Sequence, residues 1–495
     1  MTLHDVYLLS PELSLAGIGL AIILLDLVIE RKGVLAALAI AGLAIPLAFS
    51  IALLGDLSAE PNERMTGIFG TLVVDKFALF FKFLVLGVLA LVIMSSVDYV
   101  SRMSRFQGEY YGLMVFSAGG MTLLAATTEL ISIYIALELT ALPLAALAAF
   151  LRDSRSSEAG VKFLLLSAMS SAVLLYGLVL VFGFTGTTQL AEIFERLASS
   201  MDPDASFGSP ALFLGVILIV AGFGFKISSV PFQMWAPDVY EGSPTPITAY
   251  LSVASKAAGF AVILRVFYMA FGEISVDWGV LFAALSALSM TVGNLVAIAQ
   301  SNIKRMLAYS TIAQAGYLMV GLAAIAVRVP EGETPIGPSS ILFYLGAYAV
   351  TNLAAFFAII AISTRTGSDL ISSFAGMGRR APILALILAF SLVSLTGIPP
   401  TAGFMGKLYL FSAAVRSDLV WLATVGVINS VLSAYYYVKV IRIMYMERPE
   451  SEERVTTAYV PQVALYVSAI GILALGVFPG PLINFAETAA AVLFL

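Results

Sequence analysis

Four ionisable residues lie well inside long apolar segments of the sequence, namely Glu138, Lys226, Lys256 and Lys407. A charge at the centre of a bilayer costs at least about 2.5–3.5 kcal/mol, so each of these side chains is expected to face protein or water and to have a function. A buried carboxyl or amine that can exist in either charge state at neutral pH can accept a proton and pass it on. The four residues therefore predict a proton relay through the membrane.

The same residues also have a structural interpretation, which the sequence alone leaves open. Glu138 and one of the lysines could form an ion pair that only holds two helices together. Lys407 could cap carbonyl groups that are freed beside a helix break, because a lysine near the end of a helix can donate to its last carbonyls. Neither arrangement would need to move a proton.

Other charged and aromatic residues of the apolar segments are predicted to serve packing or solvation. Glu158 and Lys162 are four residues apart and could pair on one helix face. They lie near the end of a segment, where water is close, and are candidates only for a secondary relay or gate. Arg265 lies nine residues after Lys256, faces the other way and is predicted to be structural. The tyrosine run 435–437 is predicted to pack or to anchor the chain at the interface.

The composition excludes several kinds of chemistry. The chain has no cysteine, which rules out disulfides, Cys-ligated iron–sulfur clusters and a thiolate nucleophile. Its only histidine is His4, so a bis-histidine haem or a histidine-rich metal site is not expected. The sequence contains neither a G-x-G-x-x-G nor a Walker-type phosphate-binding motif. The net charge of −5 is spread over loops and gives no indication of nucleic-acid binding.

The chain reads as an integral membrane protein. Of its 495 residues, 60% are apolar and 12% are charged, whereas a soluble domain has about a quarter charged residues. Apolar runs of about 20 residues, enough to cross about 30 Å of hydrocarbon, fill most of the sequence. There are fourteen: 9–29, 34–54, 74–96, 110–127, 130–151, 160–184, 210–236, 246–271, 277–299, 303–327, 338–363, 382–413, 418–446 and 459–480.

Basic residues are distributed unevenly over the connections between these segments. When the connections are numbered from the first segment, the odd-numbered ones hold fourteen: Arg31, Lys32, Arg102, Arg105, Arg152, Arg155, Lys304, Arg305, Arg365, Arg379, Arg380, Arg442, Arg448 and Arg454. The even-numbered ones hold four: Arg64, Arg196, Arg328 and Arg416. Cytoplasmic connections carry the excess of Lys and Arg. Both termini are therefore predicted on the outer side, in a bacterial plasma membrane since no transit peptide is recognisable.

In two of the fourteen segments, proline lies close to a buried lysine. The seventh contains Pro231, five residues after Lys226. The twelfth contains Pro399 and Pro400, seven residues before Lys407. Proline lacks a backbone donor and clashes with the preceding turn, which frees carbonyls that must find other partners at membrane depth. The sequence therefore predicts that helices 7 and 12 are discontinuous.

The two discontinuous helices indicate an internal repeat. Transporters with broken helices are commonly built from repeats of opposite orientation, and here a lysine precedes one break and follows the other. The predicted fold is an all-α membrane protein of about fourteen helices with two inverted five-helix repeats. Residues 1–100 are predicted to form three N-terminal helices, and residues 447–495 the last helix. Helices 4–8 form the first repeat, over residues 108–272, and helices 9–13 form the second, over residues 273–446.

Three sequence blocks surround these breaks and lysines: GFGFKISSVPFQMWAPDVYEGSPTPITAYLSVASK, SNIKRMLAYSTIAQAGYLMVGL and TGIPPTAGFMGKLYLF. They resemble blocks of the NADH-quinone oxidoreductase subunit N family, antiporter-like membrane subunits of respiratory complex I. The likeness extends in consistent order from about residue 100 to residue 445. WAPDVYEGSP is similar to subunit N rather than to subunits L or M, and the sequence ends without the long lateral helix of subunit L. The resemblance implies the family's fold of fourteen helices.

The resemblance also implies a proton-translocating module with four assigned residues. Glu138 matches the family's glutamate in the fifth helix, and Lys226 matches the lysine at the break of the seventh. In the family these two form an ion pair whose making and breaking gates a half-channel. Lys256 matches the eighth-helix lysine that relays the proton laterally, and Lys407 matches the terminal lysine of the broken twelfth helix.

Two positions depart from the family pattern. The sequence has Gln233 where many relatives read PFH, and Gln314 where many have a histidine in the tenth helix. Glutamine can bind water but cannot titrate, so a relay between Lys256 and Lys407 would have to use waters, hydroxyls and amides. Gln314 and the segments RTG and GKLYLF are also similar to the subunit of cyanobacterial and chloroplast enzymes that take electrons from ferredoxin. The electron donor is therefore open between NADH and ferredoxin.

By the same resemblance, this chain binds no cofactor of its own. The parent complex uses FMN, iron–sulfur clusters and quinone in other subunits, and its redox energy arrives through neighbouring membrane subunits. The expected partners are the M-type antiporter-like subunit, the small K- and J-type subunits and the lipid bilayer. Nucleic acid is not an expected partner.

Two other functions stay open for a chain with this sequence. It could belong to a multi-chain Na⁺/H⁺ antiporter, which has no redox partner and is driven by a sodium gradient. It could also be a scaffold subunit that keeps the fold without conducting protons. The complete set of buried ionisable residues argues against a scaffold, whereas the two missing histidines argue weakly for one.

Overall fold

A computed structural model describes residues 2–29, 33–58, 64–103, 106–200, 210–324, 336–449, 453–456 and 458–494. Within these ranges the α-helices are α1 (Leu3–Leu8), α2 (Ser10–Asp26), α3 (Gly33–Gly42), α4 (Ala44–Leu57), α5 (Lys76–Val100), α6 (Gln107–Ala126), α7 (Leu130–Ala148), α8 (Ser154–Thr185), α9 (Leu190–Ser200), α10 (Pro210–Ile227), α11 (Trp235–Gly242), α12 (Thr245–Tyr250), α13 (Lys256–Met269), α14 (Ser275–Ile298), α15 (Ile303–Ala323), α16 (Ile336–Thr366), α17 (Met377–Arg380), α18 (Pro382–Thr396), α19 (Ala402–Arg416), α20 (Val420–Met446), α21 (Tyr459–Val477) and α22 (Gly480–Ala491). Shorter elements are the strands β1 (Arg64–Gly67) and β2 (Leu72–Asp75), the π-turn Leu251–Ser255 and the 3₁₀ turns Gly272–Ile274, Ile371–Phe374 and Val492–Phe494.

The helices confirm an all-α membrane protein. Eleven helical stretches of the described residues are long and apolar enough to cross a bilayer. The remaining predicted segments coincide with α2, which has 17 residues, with α6, and with the pair α18 and α19 on the two sides of a break. These elements account for every predicted segment, and the count of fourteen spans stays a prediction.

The odd-numbered connections lie together on one face of the helix bundle. Arg102 of the third connection donates to the carbonyl of Thr364 in the eleventh, at 2.8 Å. Arg305 at the ninth connection pairs with Glu241 of the seventh, at 3.0 Å. This is the arrangement expected if each predicted segment crosses the bilayer once. Four basic residues of the predicted charge pattern lie outside the described residues: Arg31, Lys32, Arg105 and Arg328.

The even-numbered connections meet in the same way on the opposite face. Thr128, before α7, donates its backbone N–H to the carbonyl of Thr71 at 3.1 Å, which joins the fourth connection to the second. Glu129 forms a β-bridge with Gln189, which joins the fourth connection to the sixth. The uneven distribution of basic residues along the sequence is therefore a difference between two faces of the folded chain.

Both predicted helix breaks are present. The seventh predicted segment is divided into α10 and α11 around Pro231, and the twelfth is divided into α18 and α19 around Pro399 and Pro400. At the end of α18, Gly397 has a φ of +92°, a left-handed conformation that favours glycine and ends the helix. At the end of α10, Ser228 adopts a left-handed φ of +59°. The terminal carbonyls of both half-helices are thereby left for other donors.

Three features differ from the elements predicted by sequence. Residues 64–75 form an antiparallel hairpin of β1 and β2. The hairpin was not predicted, because its short strands lie beside apolar runs that were assigned only to helices. The eighth segment was predicted to be continuous, but the π-turn Leu251–Ser255 interrupts it immediately before Lys256. The connection after the sixth segment contains an amphipathic helix, α9, whose apolar side is buried at Leu190, Ile193 and Leu197.

Small residues bring α8 and α10 into close contact. A Cβ on Gly177 of α8 would lie 2.8 Å from the carbonyl oxygen of Gly215, and a Cβ on Gly222 of α10 would lie 2.5 Å from the Leu174 side chain. Without glycines at these positions the two helices would have to separate, as is common for packed membrane helices. The close approach places the polar face of α8 against the end of α10, where Lys226 lies.

Candidate functional site

Glu138 and Lys226 face two serines of α8. Ser171 donates its hydroxyl to Glu138 Oε1, with 2.5 Å between the oxygens. The ammonium of Lys226 donates to Ser167 Oγ at 3.0 Å. Ser167 and Ser171 are one helical turn apart and are almost completely buried, with exposed fractions of 4% and 2%. The carboxylate on α7 and the lysine on α10 therefore each contact the same face of α8, one helical turn apart.

The ion pair that the resemblance implies between Glu138 and Lys226 is not formed in this structure. Among the ion pairs of the described residues, none joins these two side chains or joins Glu138 to another lysine. Each of the two groups is instead hydrogen-bonded to a serine of α8, Glu138 to Ser171 and Lys226 to Ser167. The alternative considered from the sequence, a purely structural ion pair between Glu138 and one of the lysines, is also absent among the described residues.

Lys256 closes the end of the first broken helix. Its ammonium donates to the carbonyl of Ile227, the last residue of α10, and to the carbonyl of Thr311 in α15, both at 3.2 Å. The C-terminal end of a helix carries a partial negative charge that favours a cation. The π-turn directly before Lys256 displaces the helix locally, a feature frequent at functional sites. Lys256 thus connects the first predicted repeat to the second.

Lys407 has the corresponding position at the second break. Its ammonium donates to the carbonyls of Leu395 and Thr396, the last two residues of α18, each at 3.0 Å. A third hydrogen bond of 3.1 Å goes to Ser430 Oγ of α20. The ammonium also lies 4.2 Å from the centre of the Tyr317 ring, within the range of a cation–π interaction. Lys407 therefore caps the carbonyls of the helix break as predicted, and it also donates to one hydroxyl, that of Ser430.

Side chains of α15 and α16 join these two lysines. Gln314 lies one turn after Thr311 and donates to the carbonyl of Leu395 at 3.3 Å, the same carbonyl that Lys407 contacts. The hydroxyl of Tyr344 donates to Gln314 Oε1, and that of Tyr348 donates to Thr311 Oγ1 at 3.1 Å. The structure thus places Gln314 between Lys256 and Lys407, where the sequence analysis required an amide or a hydroxyl.

Glu158 and Lys162 belong to a charged cluster on the face of the odd-numbered connections. Lys162 pairs with Glu158 at 2.7 Å and with Asp238 of α11 at 2.8 Å. Arg305 pairs with Asp238 at 2.7 Å and with Glu241 at 3.0 Å. Partial burial opposes ionisation of Asp238, but the hydrogen bonds from Lys162 and Arg305 outweigh it and keep its pKa below the usual range. The predicted pairing of Glu158 with Lys162 is confirmed.

This charged cluster surrounds an open cavity of about 180 Å³. Lys162 is 41% exposed and Glu158 is 63% exposed, so both are in contact with water. Their position agrees with the predicted solvation near the end of a segment. The cavity lies at the beginning of α8, beside α11, and opens on the face that holds most of the basic residues.

Gln233 is not brought together with the other predicted residues. Within the described ranges its buried Oε1 has no hydrogen-bond partner. It lies in the break after α10, where Ser228 Oγ is also buried without a partner among these residues. Buried polar groups without protein partners are commonly satisfied by water. A glutamine at this position can therefore hold water beside the break, as the sequence analysis expected of it.

Sequence reasoning missed several polar residues of the site. Asn294 of α14 accepts a hydrogen bond of 2.9 Å from Tyr436 and donates to Tyr317 at 3.5 Å. Tyr437 is fully buried and its hydroxyl lies 2.5 Å from that of Ser310, so the interpretation of the tyrosine run as packing or anchoring is incomplete. The signal was available, because these polar side chains interrupt apolar runs in the same way as the buried lysines.

The described part of the chain offers no recognisable metal site. In these ranges no three side chains of His, Asp or Glu come together as a metal ion would require. The arrangement is instead a set of titratable groups, each hydrogen-bonded to hydroxyls or helix-end carbonyls. Such a set can hold and transfer protons.

Comparisons with known proteins agree with this arrangement. The family described as "NADH:quinone oxidoreductase/Mrp antiporter, TM" matches residues 127–433. The NADH-quinone oxidoreductase subunit N of Dehalococcoides mccartyi is 46% identical over 489 residues, which cover 97% of this chain and 98% of that protein. The chain belongs to the NADH-quinone oxidoreductase subunit N family. The resemblance found in the three sequence blocks is thus confirmed over nearly the whole chain.

Solved structures extend the comparison to the fold. A chain of respiratory complex I from Thermus thermophilus with bound aureothin has a TM-score of 0.77 and 33% identity, and the match covers 96% of this chain and 98% of that one. A chain of the Mrp complex from Dietzia sp. has a TM-score of 0.85 at 22% identity, covering 100% and 98%. The second match concerns the fold alone. The first structure is respiratory complex I, a multi-subunit complex, which agrees with other membrane subunits as partners of this chain.

Proposed function

We propose that this chain is a proton-translocating membrane subunit of an NADH:quinone oxidoreductase and that Glu138, Lys226, Lys256 and Lys407 carry the proton. The observation that supports this assignment most directly is the position of Lys256 and Lys407. Each closes the end of a broken helix, and Gln314 with Thr311 lies between them. Two almost completely buried lysines that are joined in this way have no evident use in a protein that only spaces its neighbours.

The two helix ends explain how a buried lysine can change its charge. The partial negative charge of the terminal carbonyls favours the ammonium form. Exclusion of water favours the neutral amine. Because the two effects oppose each other at Lys256 and at Lys407, a small change in a neighbouring charge can move a proton onto or off either amine. A proton that arrives at one lysine then repels a proton on the next, and this repulsion drives transfer along the series.

Secondary roles follow for the remaining polar residues. Glu158 and Lys162 lie in the water-exposed charged cluster and serve as the mouth through which protons reach α8. Gln314 orients the carbonyl of Leu395 and the hydroxyl of Tyr344 between the two buried lysines, and Gln233 holds water at the first break. The redox chemistry belongs to other subunits, which we expect to hold FMN, iron–sulfur clusters and quinone. The donor, NADH or ferredoxin, is a property of those subunits.

Replacing Lys226 by Ala tests the proposed function. The purified parent complex is reconstituted in proteoliposomes, and proton pumping is recorded together with NADH:quinone turnover. A positioned proton-transfer group contributes roughly 100-fold or more. Lys226 is only partly buried, so water can replace it in part, and we expect both rates to fall by about tenfold while the complex stays assembled.

Lys76→Ala, at the first residue of α5, is the matched control and is expected to retain both rates. Unchanged pumping and turnover in Lys226→Ala would overturn the proposal and favour a scaffold. Proton movement that follows an imposed sodium gradient without any redox substrate would instead indicate a Na⁺/H⁺ antiporter. The experiment therefore separates all three functions.

We further propose that the face with the basic residues is cytoplasmic and that the membrane is a bacterial plasma membrane. The grouping of the odd-numbered connections on one face supports this orientation. Because the chain has no native cysteine, single cysteines report their side directly. Ser101→Cys is expected to react with an impermeant maleimide only in inverted vesicles, and Glu195→Cys only in intact spheroplasts. The reverse pattern would show that the orientation is inverted.

The inverted repeats over 108–272 and 273–446 are part of the same proposal. Each contains one broken helix, α10 with α11 and α18 with α19, and the C-terminal end of each first half is closed by a lysine. The three N-terminal spans and the last helix then lie outside the repeats, with residues 1–100 and 447–495. Opposite orientation of the repeats would give the proton one entrance on each side of the membrane.

A further inference from the structure

Three serines lie within five residues on α8 and make three different contacts. Ser171 donates to the carboxylate of Glu138, whereas Ser167 accepts from the ammonium of Lys226. Ser170 donates to the backbone carbonyl of Gly222 at 3.1 Å, an ordinary contact between packed helices. Two of the three hydroxyls are therefore bound to the titratable groups of the site, and the third is not.

We infer that Ser167 and Ser171 form a hydroxyl bridge through which a proton passes between Lys226 and Glu138. The inference rests on the proposed function, because it names the route between two of its four residues. It replaces a direct ion pair, which this structure does not form. The bridge makes α8 a participant in the reaction instead of a helix that only separates α7 from α10.

Each transfer along the bridge is balanced. The ammonium of Lys226 gives a proton to Ser167 Oγ while Ser167 gives its own hydroxyl proton to a water molecule between the two serines, and that water passes one of its protons to Ser171 Oγ. Ser171 receives a proton at its oxygen and gives its own hydroxyl proton to Glu138 Oε1. The net change converts an ammonium and a carboxylate into an amine and a carboxylic acid, and both serines return to the neutral hydroxyl.

One water molecule completes the path between the two hydroxyls. Side chains four residues apart on a helix have Cβ atoms about 5–6 Å from each other, and among the described residues no hydrogen bond joins the Ser167 and Ser171 hydroxyls, which contact Lys226 and Glu138 instead. A water molecule that bridges two polar groups spans such a gap at small free-energy cost. Both serines are almost completely buried, so bulk water does not compete with this path.

Neither hydroxyl is explained by the needs of the helix. Serine is a weaker helix former than alanine because its hydroxyl competes with the backbone for hydrogen bonds. Serine is also one of the small residues found where membrane helices pack closely, but packing does not by itself require a hydroxyl at either position. The contacts with Glu138 and Lys226 supply the reason for a hydroxyl at each position.

The test compares Ser167→Ala and Ser171→Ala with Ser170→Ala as a matched control on the same helix. Protons pumped per electron pair are measured with the full complex in proteoliposomes, together with the amount of assembled complex. A positioned proton-transfer group contributes roughly 100-fold or more, and water can replace a lost hydroxyl in part, so we expect each of the first two variants to reduce pumping about tenfold. Ser170→Ala is expected to pump normally.

Ser167→Thr and Ser171→Thr separate proton transfer from packing, because threonine keeps the hydroxyl. Both are expected to recover most of the pumping that the alanine variants lose. If threonine does not restore pumping in an assembled complex, the serines have a structural role and the bridge is wrong. If the alanine variants match Ser170→Ala while Lys226→Ala is defective, the bridge fails and the proposed function stands. If Lys226→Ala is also unchanged, the proposed function itself fails.

Discussion

Replacing Lys407 by Met is expected to stop proton pumping by the assembled complex, with transfer slowed by about 100-fold or more. Met keeps the length and most of the volume of the side chain but can neither bind nor release a proton. The exposed fraction of Lys407 is only 4%. Its three hydrogen-bond partners are two backbone carbonyls and Ser430 Oγ, and none of these can take over its titration. The loss should therefore exceed that of Lys226→Ala.

The contacts of Lys407 also predict a loss of stability when it is replaced by Met. When the ammonium is removed, the carbonyl of Thr396 loses this donor, whereas that of Leu395 keeps the hydrogen bond from Gln314. A hydrogen bond to a charged group is worth about 1.5–3 kcal/mol. A modest destabilisation is therefore expected together with the loss of pumping. Lys439→Met is the matched control, since it removes a lysine of α20 that the proposed relay does not use. Normal pumping by an assembled Lys407→Met complex would remove Lys407 from the relay.

The helix breaks and the buried lysines are the parts of the site that sequence could predict. Pro231, Pro399 and Pro400 each lack a backbone donor, and the structure has a break at each place, although Pro143 lies inside the continuous helix α7. Lys256 and Lys407 are conspicuous because a charge in an apolar run is costly wherever the run lies. Both signals are local, so neither needs knowledge of which helices are neighbours.

The partners of these groups could not be predicted, because they depend on which helices touch. Ser167 and Lys226 are 59 residues apart, and Ser171 and Glu138 are 33 apart. The spacing of residues within α8 does not indicate that α7 and α10 lie on the same side of it. The π-turn before Lys256 was missed for a similar reason, since no proline or glycine marks it in the sequence.

Arg265 shows both what the sequence could predict and what it could not. Its position relative to Lys256 correctly indicated a separate, structural role, but the sequence did not reveal its partner. Asp75, at the end of β2, receives two hydrogen bonds from the guanidinium, at 2.6 and 2.9 Å. The same guanidinium donates to the carbonyl of Ala125 at the end of α6, at 2.8 Å. Arg265 thus ties the hairpin and α6 to α13, the helix that begins with Lys256.

Replacing Asp75 by Asn is expected to destabilise the chain by about 3–5 kcal/mol, the usual effect of removing one partner from a buried ion pair. Both side chains are fully buried, so the guanidinium of Arg265 would be left charged and without its counter-ion. The amide oxygen of Asn can still accept from the N–H of Ala78, which Asp75 Oδ1 does at 2.8 Å. The substitution therefore isolates the loss of charge from the loss of the N-cap of α5.

The amount of assembled complex in the membrane and its thermal unfolding measure this effect. Asp98→Asn is the matched control, because Asp98 pairs with Arg102 at 3.6 Å on the surface, where such a pair contributes about 0–1 kcal/mol. Combining Asp75→Asn with Arg265→Met removes the uncompensated charge and is expected to restore much of the assembly. Normal assembly of Asp75→Asn alone would mean that α13, and with it Lys256, is positioned by packing instead of by this ion pair.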